Sequence, residues 1–127
     1  LERAERALNA AGAFATETHV PETHPEFGRF KTVQGLILIA RGSPARAERI
    51  LRNALAIRSA AHGPSDYRTM ETSGALGLAL LRLGRIDESR SLLDKAHTAL
   101  EQKFGASDPR TRLVGSWRRE LQAKLKT

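Results

Sequence analysis

Histidine, the side chain that most often acts as a general acid or base near pH 7, occurs four times in the chain. The four are His19, His24, His62 and His97, and no two have the four-residue spacing that puts two metal ligands on one helix face. Cysteine is absent, which excludes a thiolate zinc site and a cysteine nucleophile. We therefore expect no catalytic residue, no metal site and no cofactor, and we predict that this chain is not an enzyme.

The composition predicts an all-α protein. Of the 127 residues, 40% are hydrophobic and 28% are charged, which is ordinary for a globular domain. Aromatic residues make up only 5%, whereas Ala, Leu, Arg and Glu, which favour helices over strands, are abundant. The longest apolar run, Leu36 to Ala40, is too short to span a membrane. Because the first residue is Leu1 rather than Met, we expect a piece of a longer protein. We also expect this protein to be cytoplasmic.

A repeat with a period of 42 residues organises the chain. Segment 34–42 matches segment 76–84, and a small–large–small pattern follows each of them. That pattern consists of Ala47, Leu51 and Ala54, and then of Ser89, Leu93 and Ala96. Each unit is predicted to be a helix pair, because Gly42 and Gly84 suit the left-handed residue that ends a helix. The helices are expected near residues 1–19, 26–41, 44–61, 67–83, 86–104 and 110–126.

This pattern resembles the tetratricopeptide repeat. Its signature positions are occupied by Gly35, Leu38, Gly42, Ala47, Leu51 and Ala54, and again by Leu76, Gly77, Leu80, Gly84, Ser89, Leu93 and Ala96. The long period and the links His24-Pro25 and Asp108-Pro109-x-Thr111 are similar to those of kinesin-light-chain-type repeats. Residues 78–111 also resemble the last repeat of bacterial Ser/Thr protein kinases and regulators, which implies a catalytic domain such as a kinase elsewhere in the full-length protein.

The resemblance implies a fold and a domain division. The implied fold is a set of antiparallel helix pairs stacked as a right-handed superhelix, an α-α solenoid. Residues 1–127 are expected to form one domain, divided into a half repeat (1–20), two repeats (26–62 and 67–105) and a C-terminal capping helix (110–126).

The resemblance also implies a protein-interaction scaffold or regulatory module that binds a protein or peptide. In such repeats the first helix of each pair lines a concave face, which suits an extended or helical segment of a partner. The residues expected to contact the partner are Arg29, Thr32, Leu36, Ile39, Glu71, Leu78, Leu81 and Arg82. For Leu36 and Leu78, a place in the core between repeats is the alternative.

The basic C-terminal segment carries an alternative function. Residues 110–127 hold six Lys or Arg against one Glu, although the whole chain has a net charge of only +7. Such a helix suits nucleic acid or an acidic surface. It equally suits the polar outer face that closes a helical array, which we favour. Nucleic acid is therefore not the favoured partner, and no membrane is expected.

Apolar spacing gives predictions for both terminal helices. The buried stripe of the last helix is predicted from Leu113, Trp117, Leu121 and Leu125, which recur every four residues, and Val114 widens it. Trp117 is expected to be largely buried. In the first helix, apolar residues such as Phe14 lack a preceding helix to pack on. Self-association through the N-terminal helix is therefore expected.

Overall fold

The structure is a computed structural model that describes residues 4–6 and 23–126. Its complete helices are α1 (Pro25–Ala40), α2 (Pro44–His62), α3 (Tyr67–Arg82), α4 (Ile86–Phe104) and α5 (Pro109–Leu125). Residues 4–6 are also helical, and the described part contains no strand. Each boundary of α1 to α5 lies within one residue of its predicted position. Apart from residues 4–6, the predicted helix over 1–19 lies outside the described residues. The predicted self-association through that helix lies outside them as well.

Glycine makes the sharp turn inside each helix pair. Gly42 and Gly84 have φ angles of 81° and 82°, in the left-handed region that favours glycine. After the turn, the Ser43 N–H donates back to the Leu38 carbonyl at 2.8 Å, and the Arg85 N–H donates to the Leu80 carbonyl at 2.9 Å. These bonds satisfy carbonyls in the last turns of α1 and α3, as predicted for a glycine-ended helix.

The helices of each pair are antiparallel and closely packed. A Cβ atom built at Gly35 would lie 2.5 Å from Leu51 Cγ in α2, and one at Gly77 would lie 2.9 Å from Leu93 Cγ in α4. Only glycine permits this approach, which explains its presence inside a helix at a cost of about 1 kcal/mol relative to alanine. The Ser89 hydroxyl donates to the Gly77 carbonyl at 2.6 Å, which adds a polar link within the second pair.

Successive pairs stack through their first helices. The hydroxyls of Thr32 in α1 and Thr72 in α3 are hydrogen bonded at 2.8 Å. A Cβ at Gly74 in α3 would lie 3.2 Å from Val114 and 3.5 Å from Trp117 in α5. Helix α3 thus lies between both neighbours and is buried at every position from Thr72 to Leu81. The architecture is an α-α solenoid, and none of the described helices is long and apolar enough to cross a membrane.

The buried stripe predicted for α5 is only partly correct. Its buried residues are Thr111, Val114, Gly115 and Leu121. Leu113 and Leu125 are each 50% exposed, and Trp117 packs on the core only partly buried. The physical reason is that four residues advance a helix by about 400°, so a four-residue spacing drifts by about 40° at each step. Over the three steps from Leu113 to Leu125 the drift removes both ends of the stripe from the core.

Aspartate begins the helices that follow the two longer links. The Asp66 carboxylate accepts hydrogen bonds from the Arg68 backbone N–H and from Arg68 Nε, both at 2.9 Å. Asp108 accepts the corresponding bonds from Arg110 at 2.9 and 3.0 Å. Each carboxylate therefore caps a helix and orients an arginine two residues later. Since α3 and α5 begin at these caps, the caps fix the register of both helices.

Removing the Asp66 cap is expected to destabilise the fold in a pH-dependent way. The hydrogen bond from the Arg68 side chain lowers the pKa of Asp66 from 3.8 to about 2. A lowered pKa gives stability that is present above the unfolded pKa of about 4 and is lost as the pH falls towards 2. Asp66→Ala should therefore lower the free energy of unfolding by about 0.5–2 kcal/mol at pH 7, and by less near pH 2.

Urea denaturation at both pH values measures this difference. Asp87→Ala is the matched control, because Asp87 is an exposed carboxylate in the first turn of α4 that is not an N-cap. An Asp66→Ala effect of equal size at the two pH values would show that the pairing with Arg68 contributes nothing.

Candidate functional site

The first helices α1, α3 and α5 share one surface. Residues 42 positions apart occupy corresponding places on these helices, so Arg29, Glu71 and Leu113 correspond. Arg82 and Glu120 join α3 to α5 across this surface: Arg82 Nε and one terminal nitrogen donate to the two carboxylate oxygens at 2.6 and 3.0 Å. We call this the first-helix surface, and its residues are Arg29, Leu36, Glu71, Arg82, Leu113, Trp117 and Glu120.

The eight residues predicted to contact a partner divide into two groups. Arg29 and Arg82 are exposed, and Leu36 and Glu71 are partly buried, so these four reach the first-helix surface. The other four, Thr32, Ile39, Leu78 and Leu81, are buried. The contact role itself stays a prediction, but side chains enclosed by neighbouring helices offer a partner little surface.

Ile39 and Leu81 face the second helix of their own pair. Each stands four residues after a glycine, Gly35 or Gly77, whose missing side chain faces α2 or α4. Residues four apart share a helix face, so Ile39 and Leu81 point the same way as these glycines. Leu81 is accordingly 0% exposed. The four-residue spacing from Gly35 to Ile39 and from Gly77 to Leu81 was the signal in the sequence that could have assigned both residues to the interior of the pair.

Thr32 and Leu78 face the next first helix in the stack. The Thr32 hydroxyl is hydrogen bonded to the Thr72 hydroxyl and also donates to the Gly28 carbonyl at 2.7 Å. Leu78 lies one turn after Gly74, the residue against which Val114 and Trp117 pack. For Leu78, the alternative of a core position between repeats is the one that the structure shows.

Glu71 is the titratable group with an unusual environment on the first-helix surface. Burial raises the pKa of the Glu71 carboxyl, and the positive charges of Arg58 and Arg110 oppose this shift. The carboxylate accepts no hydrogen bond from any residue in the described ranges. A half-buried carboxylate without donors is costly, and a donor from a bound segment would reduce that cost.

Leu113 and Trp117 belong to this surface but were assigned to the core by the sequence analysis. Leu113 is 50% exposed and corresponds to Glu71 in the 42-residue register. Trp117 lies against Gly74 with part of its indole open to solvent. A half-exposed leucine and a partly exposed tryptophan beside a polar rim are typical of contact sites between proteins. The register, applied to α5, was the signal that could have found them.

Catalytic chemistry has little support in the described residues. No group of three His, Asp or Glu side chains in residues 4–6 and 23–126 is arranged to hold a metal ion. His97 Nδ1 lies 3.1 Å from the Arg118 guanidinium, and its Nε2 lies 3.8 Å from Glu101. His24 accepts the Glu26 N–H at 3.1 Å as the N-cap of α1.

Comparison with known families agrees with the repeat geometry. The family model described as the tetratricopeptide repeat matches residues 32–112, which is more than half of the chain. No curated protein matches the chain. The division into a half repeat, two repeats and a capping helix, and the likeness to kinase-associated repeats, stay predictions. The chain belongs to the tetratricopeptide repeat family, a non-catalytic helical repeat fold that generally binds other proteins.

Proposed function

We propose that the chain binds a protein or peptide on its first-helix surface, as a scaffold or regulatory module. The observation that carries the proposal is the half-exposed Leu113 and the partly exposed Trp117, which packs against Gly74, one turn after Glu71. Glu71 is a partly buried carboxylate that has no hydrogen-bond donor among the described residues. Apolar side chains of a partner would cover the pair, and a donor from the partner would satisfy the carboxylate. Arg29, whose side chain is 72% exposed, offers a further polar contact at the same end of the surface.

The Arg82–Glu120 ion pair limits where an apolar segment fits. Its two hydrogen bonds link α3 to α5. On α5 this charged link lies after Trp117 in sequence, whereas Leu113 lies before it. Leu36 on α1 supplies further apolar surface that is partly buried. The proposed contact region therefore runs from Leu113 and Trp117 past Glu71 towards Arg29 and Leu36.

The proposal is tested by charge changes that leave the core intact. In the double variant Arg29→Glu/Leu113→Glu, both replaced side chains are exposed, so the fold should persist while binding at the surface is weakened. The matched control, Arg49→Glu/Ala56→Glu, makes the same two types of change at exposed positions on α2. Circular dichroism first establishes that both variants have the helix content of the wild-type protein.

The measurement is affinity purification from cells that make the protein, with co-purified proteins quantified by mass spectrometry. We expect a set of proteins that accompanies the wild-type and control proteins and falls about tenfold or more with the double variant, because charge introduced into a central apolar patch weakens binding by at least about 1.4 kcal/mol. Equal recovery with both variants would place binding elsewhere and refute the proposal.

A further inference from the structure

One side of α5 differs from the corresponding side of α1 and α3. In α1 and α3 this side packs on the second helix of the pair, and glycine stands at the closest approach, at Gly35 and Gly77. The position 42 residues after Gly77 in α5 is Arg119, and the position seven residues earlier is Arg112. Arg112 and Arg119 are both exposed, whereas their neighbours Arg118 and Glu120 are partly buried. Helix α5 thus presents cations where the other first helices present a close-packing surface.

The cations on this side form a row without acidic partners among residues 4–6 and 23–126. Arg112, Arg119 and Lys126 stand seven residues apart, about 10.5 Å along a helix axis, and share one face. None forms an ion pair with any residue in the described ranges. The nearby carboxylates are engaged, because Glu120 binds Arg82 and Asp94 binds Arg118 at 2.9 Å. The row therefore carries uncompensated positive charge.

An open groove between α4 and α5 runs beside this row. It has a volume of about 230 Å³ and is lined by Arg90, Leu93, Asp94, Arg118, Leu121, Gln122 and Leu125. Leu125 is 50% exposed there, and Arg90 is exposed without an ion pair to a described residue. Gln122 stands one turn from both Arg119 and Lys126, so groove and row are adjacent on α5.

We propose that this surface binds an acidic amphipathic helix of a protein partner. Apolar side chains of the helix enter the groove and contact Leu125, the exposed leucine of its lining. Carboxylates at seven-residue spacing on the same helix pair with Arg112, Arg119 and Lys126. This surface lies on a different side of α5 from Leu113 and Trp117, so the inference does not depend on the proposed function.

Charge and groove chemistry favour this occupant over two others. A second copy of the chain also carries a net charge of +7, so charge repulsion opposes its approach to the cationic row. Single-stranded nucleic acid binds through base stacking on aromatic side chains, and none of the residues that line the groove is aromatic. An exposed leucine, Leu125, beside arginines that form no ion pair with a described residue instead suits a helix with an apolar face and an acidic flank.

The test uses a synthetic amidated helical peptide with Glu at every seventh position and Leu one turn from each Glu. A control peptide of the same composition distributes the Glu residues around the helix. Fluorescence anisotropy with the labelled peptides measures Kd for the wild-type protein, for Arg112→Glu/Arg119→Glu and for the matched control Arg46→Glu/Arg49→Glu. The control arginines lie on α2 and have no ion pair with a described residue.

We expect Arg112→Glu/Arg119→Glu to raise Kd about tenfold or more, since two attractive charge pairs become repulsive, and the α2 control to change Kd less than about twofold. A peptide with Lys in place of Glu should bind the Arg112→Glu/Arg119→Glu protein better than it binds the wild type. Leu125→Ser should weaken the Glu peptide severalfold, because it removes the exposed edge of the groove.

Equal affinity of the reversal variant and the wild type for the Glu peptide would overturn the inference, as would equal affinity of the two peptides for the wild type. Two further measurements identify other occupants. A 20-nucleotide single strand that outcompetes the Glu peptide and is lost with the same variant would reassign the surface to nucleic acid. Wild-type dimers in sedimentation that Arg112→Glu/Arg119→Glu abolishes would reassign it to a second copy.

Discussion

Leu51→Ala is expected to lower the free energy of unfolding by about 2–5 kcal/mol. Leu51 lies in α2, is 0% exposed and packs into the gap left by Gly35 in α1. The substitution removes buried apolar surface and leaves a cavity between two helices whose backbones already lie close together. A domain of this size has about 5–15 kcal/mol of stability in total. Urea denaturation followed by circular dichroism measures the loss.

A double-mutant cycle with Gly35 shows whether the close approach is the cause. Gly35→Ala alone should destabilise by about 1–3 kcal/mol through overpacking, despite the better helix propensity of alanine, because the new methyl group would lie 2.5 Å from Leu51 Cγ. In the Leu51→Ala background the same methyl group has room and should be neutral or stabilising. Two effects that simply add would contradict this packing account.

Gly115→Ala is the matched control for the glycine change. Its nearest contact would be His97 Nε2 at 3.5 Å, an ordinary van der Waals distance. Alanine at that position should therefore keep or raise the stability by up to about 1 kcal/mol. A large loss at Gly115 would show that any change to an interior glycine disrupts these helices, whatever the space around it.

Arg58→Ala is expected to cost about 2–4 kcal/mol, from lost packing and a lost buried hydrogen-bond donor. Arg58 is only 7% exposed, and its terminal nitrogen donates to the Arg68 carbonyl at 2.8 Å. A Cβ at Gly28 would lie 2.6 Å from Arg58 Cγ, so the aliphatic stem fills the space beside that glycine. Burial lowers the pKa of the guanidinium, and the negative charge of Glu71 opposes this shift.

Arg58→Met distinguishes the contribution of the aliphatic part of the Arg58 side chain from that of its charged guanidinium. Methionine keeps an unbranched stem over Gly28, and the corresponding residue 42 positions later, Leu100, is a fully buried apolar side chain. Because buried charges are often replaced by apolar residues at no cost, we expect Arg58→Met to stay within about 1 kcal/mol of the wild-type protein. If it is as unstable as Arg58→Ala in urea denaturation, the hydrogen bond to Arg68 is the important contribution.

Helix boundaries were predictable because their causes are local. Gly42 and Gly84 end helices through their own backbone conformation, and Asp66 and Asp108 begin helices through bonds to residues two positions later. Such causes act within a few residues, so a single sequence contains them.

The faces of the helices were harder to predict, because each face depends on which neighbour covers it. Ile39 and Leu81 were assigned to the partner surface, although they follow glycines that face α2 and α4. Leu113 and Leu125 were assigned to the core, although no described helix covers them fully. Arg58 was not singled out, since its burial results from packing against α1 and α3, whose residues are distant in sequence.

The burial of α3 on all sides has a consequence for the modularity of this fold. Helix α3 pairs with α4, but it also contacts α1, α2 and α5, so both helix pairs use it as core. The 42-residue period suggests independent units. Separating α1 and α2 from α3 would nevertheless expose the apolar side of α3 that packs on them. We therefore expect α1 to α5 to be moved into another protein only as one segment. Substitutions should be tolerated in the other helices more readily than in α3.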